Sequence, residues 1–62
     1  MKYSELIRIL KQNGWVVYNQ KGSHMKMKHH SFDNILIVPD HGSKEIGKGL
    51  ATAILKQAKI IN

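Results

Sequence analysis

The chain has 62 residues, ten Lys and Arg against four Asp and Glu, a formal charge of +6, and no cysteine. That length allows one hydrophobic core and excludes two, and the missing thiols rule out a disulfide framework or a cysteine-rich zinc site as its supplement. The charge favours a polyanionic contact, whether nucleic acid, membrane surface or acidic protein, without choosing among them.

In chain order, Ser4 is a candidate N-cap, and Tyr3, Leu6, Ile7 and Leu10 recur at the spacing of one helix face, with Lys2, Arg8, Lys11 and Gln12 outside it. Asn13-Gly14 closes that helix, since glycine accepts the left-handed position after a last turn. Trp15 to Gln20 reads as a strand, Lys21-Gly22 as a turn, and Ser23 to His30 as a second strand. A polar corner at Ser31 to Asn34 precedes Ile35 to Val38, a β-favouring run stopped by Pro39. Asp40 to Lys44 is loop. The last helix starts between Lys44 and Gly49 and runs to about Lys59, with Leu50, Ala53, Ile54, Leu55 and Ala58 as its apolar stripe. The expected class is α+β, an αβββα order with a three-stranded antiparallel sheet and both helices on one face. Residues 1–62 are expected to form a single domain. The opening residues lack the long apolar run of a signal peptide and Ile35 to Val38 is too short to span a bilayer, so a cytoplasmic protein without a membrane contact is expected.

The most informative segment is Lys21 to His30, which holds Lys21, Lys26, Lys28, His24, His29 and His30 and no carboxylate. Period two places Met25 and Met27 inward and leaves His24, Lys26, Lys28 and His30 on the open face. Trp15 is expected as a core anchor. Tyr18 is undecided, because Trp15 with Val17 and Val16 with Tyr18 offer competing inward faces; an outward Tyr could stack on a base.

The four histidines, His24, His29, His30 and His41, match no zinc-ligand spacing, so neither a metal nor a cofactor is expected. An unperturbed imidazole titrates near ~6.5 and suits proton transfer at neutral pH. RNA carries its own nucleophile in the 2′-hydroxyl, so one imidazole and nearby cations can suffice for strand cleavage. Gly22 lets a backbone approach a phosphate, and the Gly22 and Ser23 amides could point at its oxygens.

Taken together, Ser4-Glu5-Leu6-Ile7, Asn13-Gly14-Trp15, Gln20-Lys21-Gly22-Ser23-His24, Ile37-Val38-Pro39 with His41, Lys44-Glu45-Ile46, Gly49 and Ile54-Leu55-Lys56-Gln57-Ala58 resemble, in order and spacing, the HicA or YcfA-like family of toxins. These are mRNA interferases of type II toxin-antitoxin modules. The resemblance implies a double-stranded-RNA-binding-domain-like fold, endoribonuclease activity on mRNA, and a HicB-type antitoxin, which we expect to cover the His24 face, with a higher-order complex as a further possibility. It puts the family's catalytic histidine on His24. The chain departs from the family pattern at Asn19, where arginine is frequent, at Leu50-Ala51 after Gly49, and at Lys59, where glycine is common. His41 suits either loop support or a secondary place in the site. The same basic face would also serve a non-catalytic double-stranded RNA binder, or a protein that docks an acidic partner.

Overall fold

A computed structural model describes residues 1–62, in the order α1 (Tyr3–Gln12), β1 (Val16–Lys21), β2 (His24–His29), β3 (Phe32–Pro39) and α2 (Lys48–Gln57). The strands form one antiparallel sheet in the order β1-β2-β3, so the αβββα arrangement is the one expected. Neither helix is long and apolar enough to cross a membrane.

The core lies between the helices and one sheet face. Leu6, Ile7 and Leu10 of α1 and Ala51, Ile54 and Ala58 of the α2 region meet Met25, Met27, Leu36 and Val38 of the sheet, with Trp15 and Ile46 at the edges. Met25 and Met27 are buried while His24, Lys26 and Lys28 are exposed, as the alternation requires. Trp15 precedes β1 rather than opening it. It is 1% exposed, and its indole Nε1–H donates to the Ala58 carbonyl at 3.1 Å, which ties the end of α1 to the end of α2.

Several boundaries differ from the sequence reading. Lys2, not Ser4, is the N-cap of α1. The loop after β3 supplies the capping instead: the Tyr3 and Ser4 amides donate to the carbonyls of Lys44 and Gly42, each at 3.0 Å, and Glu5 accepts from the Lys2 amide at 3.2 Å. Lys21 belongs to β1, and the first hairpin turns at Gly22-Ser23. The polar corner is also shorter than expected, because β3 begins at Phe32 and its pairing with β2 slips between Met27 and His29. His30 therefore sits in the second turn, stacked on His29 at 4.7 Å, and not on the strand beside the lysines. In α2, Leu50 and Ala53 are exposed and Ala51 is buried. The inward face is set by Ala51, Ile54 and Ala58, two small residues flanking one large apolar one.

Candidate functional site

The site is built on the sheet face that no helix covers. Register places Lys21 opposite His24, Asn19 opposite Lys26 and Val16 opposite Lys28, while β3 puts Pro39 beside His24 and Ile37 beside Lys26. The three lysines of β1 and β2 thus join His24 on one surface, and neither strand carries a carboxylate. The single ion pair of the molecule joins the Met1 ammonium to Glu45 at 3.0 Å. Lys21, Lys26 and Lys28 are consequently free to meet an external anion.

The turn between β1 and β2 is fixed from both sides. Gln20 Nε2 donates to the Gly22 carbonyl at 3.1 Å, and the Ser23 carbonyl accepts from the Asp40 amide at 2.6 Å. Gly22 has φ +60, a conformation that costs a side-chain-bearing residue about 1–2 kcal/mol. A Cβ there would meet nothing within 4 Å, so the glycine is required by backbone conformation and not by crowding. The Gly22 and Ser23 amides donate to no group within the chain and lie next to the exposed His24. The His24 ring makes no hydrogen bond either. An unengaged imidazole, unpaired ammonium groups and two adjacent free amides can together hold a phosphate and move a proton beside it.

His41 lies in the loop that leaves β3. That loop is stapled to the Gly22-Ser23 turn through the Asp40 amide and to the start of α1 through Gly42 and Lys44. The His41 ring is exposed and lies edge-on to Tyr3, with centroids 4.9 Å apart. His29 is wholly committed elsewhere. Its Nδ1 accepts from the Ser31 amide at 3.0 Å, its Nε2 lies 2.9 Å from the Asn13 carbonyl, and its ring contacts Trp15 and Phe32. No three His, Cys, Asp or Glu side chains gather in a way that could hold a metal ion.

Sequence reasoning missed the apolar part of this face. Ile35 and Ile37 of β3 are 46% and 60% exposed, and Val16 and Tyr18 are exposed on β1, across β2 from them. A bulge between Val17 and Asn19 settles the ambiguity of β1: Val17 packs against the core, and Tyr18 turns to the Lys28 side, where the ammonium lies 5.4 Å from the ring centroid. Because Ile35 and Ile37 alternate with buried Leu36 and Val38, the continuous apolar run concealed a signal that one half of it is exposed.

Comparison with known proteins completes the description. The family model described as HicA toxin of bacterial toxin-antitoxin matches residues 3–60. The chain belongs to the HicA toxin family. A relative from Pseudomonas fluorescens (strain Pf0-1), described as a probable mRNA interferase HicA, is 46% identical over 57 residues, 92% of each chain. The HicA match runs from α1 to just beyond α2, so the Gly22-Ser23 hairpin, the loop after β3 and the open face all lie inside it.

Proposed function

We infer that this HicA chain is a toxin endoribonuclease, an mRNA interferase whose reacting group is His24. The observation that carries the reading is the first hairpin, where an imidazole without an internal partner stands beside unpaired lysines and two free backbone amides. The name of the Pseudomonas relative points the same way.

In this reading the His24 ring takes the proton of a ribose 2′-hydroxyl, whose oxygen attacks the adjacent phosphorus. The bond to the 5′-oxygen breaks, and that oxygen is protonated by the imidazolium or by water, leaving a 2′,3′-cyclic phosphate. Lys21, Lys26, Lys28 and the Gly22 and Ser23 amides stabilise the charge that builds on the phosphate oxygens. His41 holds the loop that buttresses the hairpin. RNA supplies the nucleophile, so no cofactor enters the scheme. A HicB-type antitoxin, acidic where this face is basic, covers His24. Charge complementarity of that kind sets specificity and association rate more dependably than net affinity.

The test is cleavage of one unstructured RNA by the wild-type protein and by His24→Ala, with chelator present. We expect the substitution to lower the rate about 10²–10⁴-fold while RNA and antitoxin still bind, with cyclic or 3′-phosphate ends on the wild-type products. Near-wild-type cutting by folded His24→Ala overturns the assignment. Efficient cutting at a 2′-deoxy position overturns the internal-nucleophile step, and cleavage abolished by chelator overturns the metal-free scheme. A partner that binds equally well after charge reversal at Lys26 and Lys28 and leaves His24 open removes the antitoxin part.

A further inference from the structure

The exposed apolar residues of the open face have no place in the cleavage scheme. A face that only grips phosphate needs cations and amides, and a duplex presents to a protein chiefly phosphates and 2′-hydroxyls. Yet Tyr18, Ile35 and Ile37 are between 45% and 60% exposed on the same surface as Lys26 and Lys28. Unstacked bases are the part of a nucleic acid whose flat apolar surfaces match such side chains.

We propose that the open sheet face is a platform for single-stranded RNA, on which the Tyr18 ring stacks a nucleobase while Lys26 and Lys28 hold flanking phosphates. The proposal rests on the ribonuclease reading above and names its substrate as unpaired strand. Three features favour it. The bulge at Val17/Asn19 is what turns Tyr18 outward, and bulges re-aim side chains in this way. The Lys28 ammonium lies over the Tyr18 ring, 5.4 Å from its centroid, so an arriving base would replace it on that face while the ammonium swings to the adjoining phosphate. The face is exposed along its length, from Lys21 and His24 to Lys26 and Lys28, and can take an extended polymer. Tyr18 is three residues before Lys21 on β1, and Lys21 pairs with His24, so the stacked base lies about 10 Å along the strand from the cut. Tyr18 is therefore a positioning residue that holds an unpaired base, whatever its identity, a short way along the strand from the scissile bond. The charge of β1 and β2, three lysines and no carboxylate, favours RNA as the occupant over an apolar protein surface.

The test uses the full chain in a His24→Ala background, so that binding is measured without cutting. Affinities for a short unstructured oligoribonucleotide, and for the same strand in a duplex, are compared for Tyr18, Tyr18→Phe and Tyr18→Thr. Thr keeps β propensity at an exposed position, and thermal unfolding confirms the fold of each variant. We expect Tyr18→Thr to bind the single strand roughly five- to a hundredfold more weakly, Tyr18→Phe to match the parent, and duplex affinity to stay level. Single-strand binding unchanged in Tyr18→Thr, or a parallel fall for the duplex, overturns the proposal while leaving the ribonuclease reading intact. Loss of antitoxin binding with RNA affinity unchanged assigns the patch to the protein partner and also overturns it. If the wild-type chain neither binds nor cuts RNA, both readings fall together.

Discussion

His24 and His29 stand at opposite ends of the same strand and are held in opposite ways. At the first hairpin the His24 ring is exposed and has no internal partner, and the backbone around it is fixed by Gln20 and Asp40. At the second, both ring nitrogens of His29 are used. Since Nδ1 accepts the Ser31 amide, Nε2 must carry the proton and donate to the Asn13 carbonyl. Residue type alone therefore says little about role. What separates a ring available to a ligand from one spent on architecture is whether the surrounding backbone uses it up.

The sharpest way to break this contrast is to remove each ring in turn. His24→Ala is expected to lose cleavage by ~10²–10⁴-fold, equivalent to about 3–5 kcal/mol in the barrier, with little change in the unfolding midpoint. His29→Ala is expected to reverse the pattern, costing ~1–2 kcal/mol of stability while the folded fraction keeps its cleavage rate. Chemical denaturation and single-turnover cleavage of both variants measure the two effects. A large stability loss at His24, or a catalytic loss in folded His29→Ala, would erase the distinction.

Between these ends β2 offers its own control. Met27 is fully buried and Lys28 beside it is exposed. Met27→Ala should cost ~2–5 kcal/mol, enough to unfold much of a domain this small, whereas Lys28→Ala should stay within ~0.5 kcal/mol. Lys28→Ala should instead weaken RNA binding and flatten its salt dependence, which a titration at several ionic strengths reads directly.

The next contrast concerns two glycines with positive φ, each beside one of the histidines. Gly14 has φ +94, and a Cβ there would lie 2.6 Å from His29 Nε2. Gly22 has φ +60 and open space around it. Gly14→Ala therefore pays for strain and also displaces the His29 ring, for an expected loss of more than ~2 kcal/mol; Gly22→Ala pays for strain alone, ~1–2 kcal/mol. Equal losses in denaturation would mean that the Asn13–His29 contact contributes little.

Local rules explain what could be read from the residues alone. The α1 stripe, the Met25 and Met27 alternation and the outward positions of His24, Lys26 and Lys28 follow from period and sequence distance, and the structure places them as expected. The differences arise where distant segments decide. Ser4 has the chemistry of an N-cap, but the Lys44 and Gly42 carbonyls take up the Tyr3 and Ser4 amides and let the helix start earlier, with Lys2 as its cap. Asp33 and Asn34 read as a corner, yet pairing with β2 absorbs them into β3 through an irregular register. Tyr18 was undecidable because its side depends on a bulge, and the exposure of Ile35 and Ile37 depends on a face that no helix covers. Local pattern thus suffices for the first hairpin, whereas the apolar part of the face needs the assembled sheet.

A small gain in stability tests whether stability and cleavage belong to separate ends. Both helices finish in the same backbone motif. After α1 the Gly14 amide bonds to Lys11 and the Trp15 amide to Leu10, each at 3.1 Å; after α2 the Lys59 amide bonds to Lys56 and the Ile60 amide to Leu55, again at 3.1 Å. The left-handed position is glycine in the first case and, in the second, Lys59 at φ 63. Holding a side-chain-bearing residue there costs about 1–2 kcal/mol, and glycine gives back roughly 0.5–1 kcal/mol through its greater freedom in the unfolded chain. Lys59→Gly should therefore stabilise by ~0.5–1 kcal/mol and raise the midpoint by about 2–8 °C. Lys59 adjoins Ala58, whose carbonyl receives the Trp15 indole, and Trp15 in turn touches His29. The gain thus belongs to the architectural end of the molecule, so cleavage should be unchanged while thermal unfolding moves upward. A lower midpoint would show that the lysine side chain contributes more than its backbone costs, and a slower cut at unchanged stability would place Lys59 in contact with the RNA.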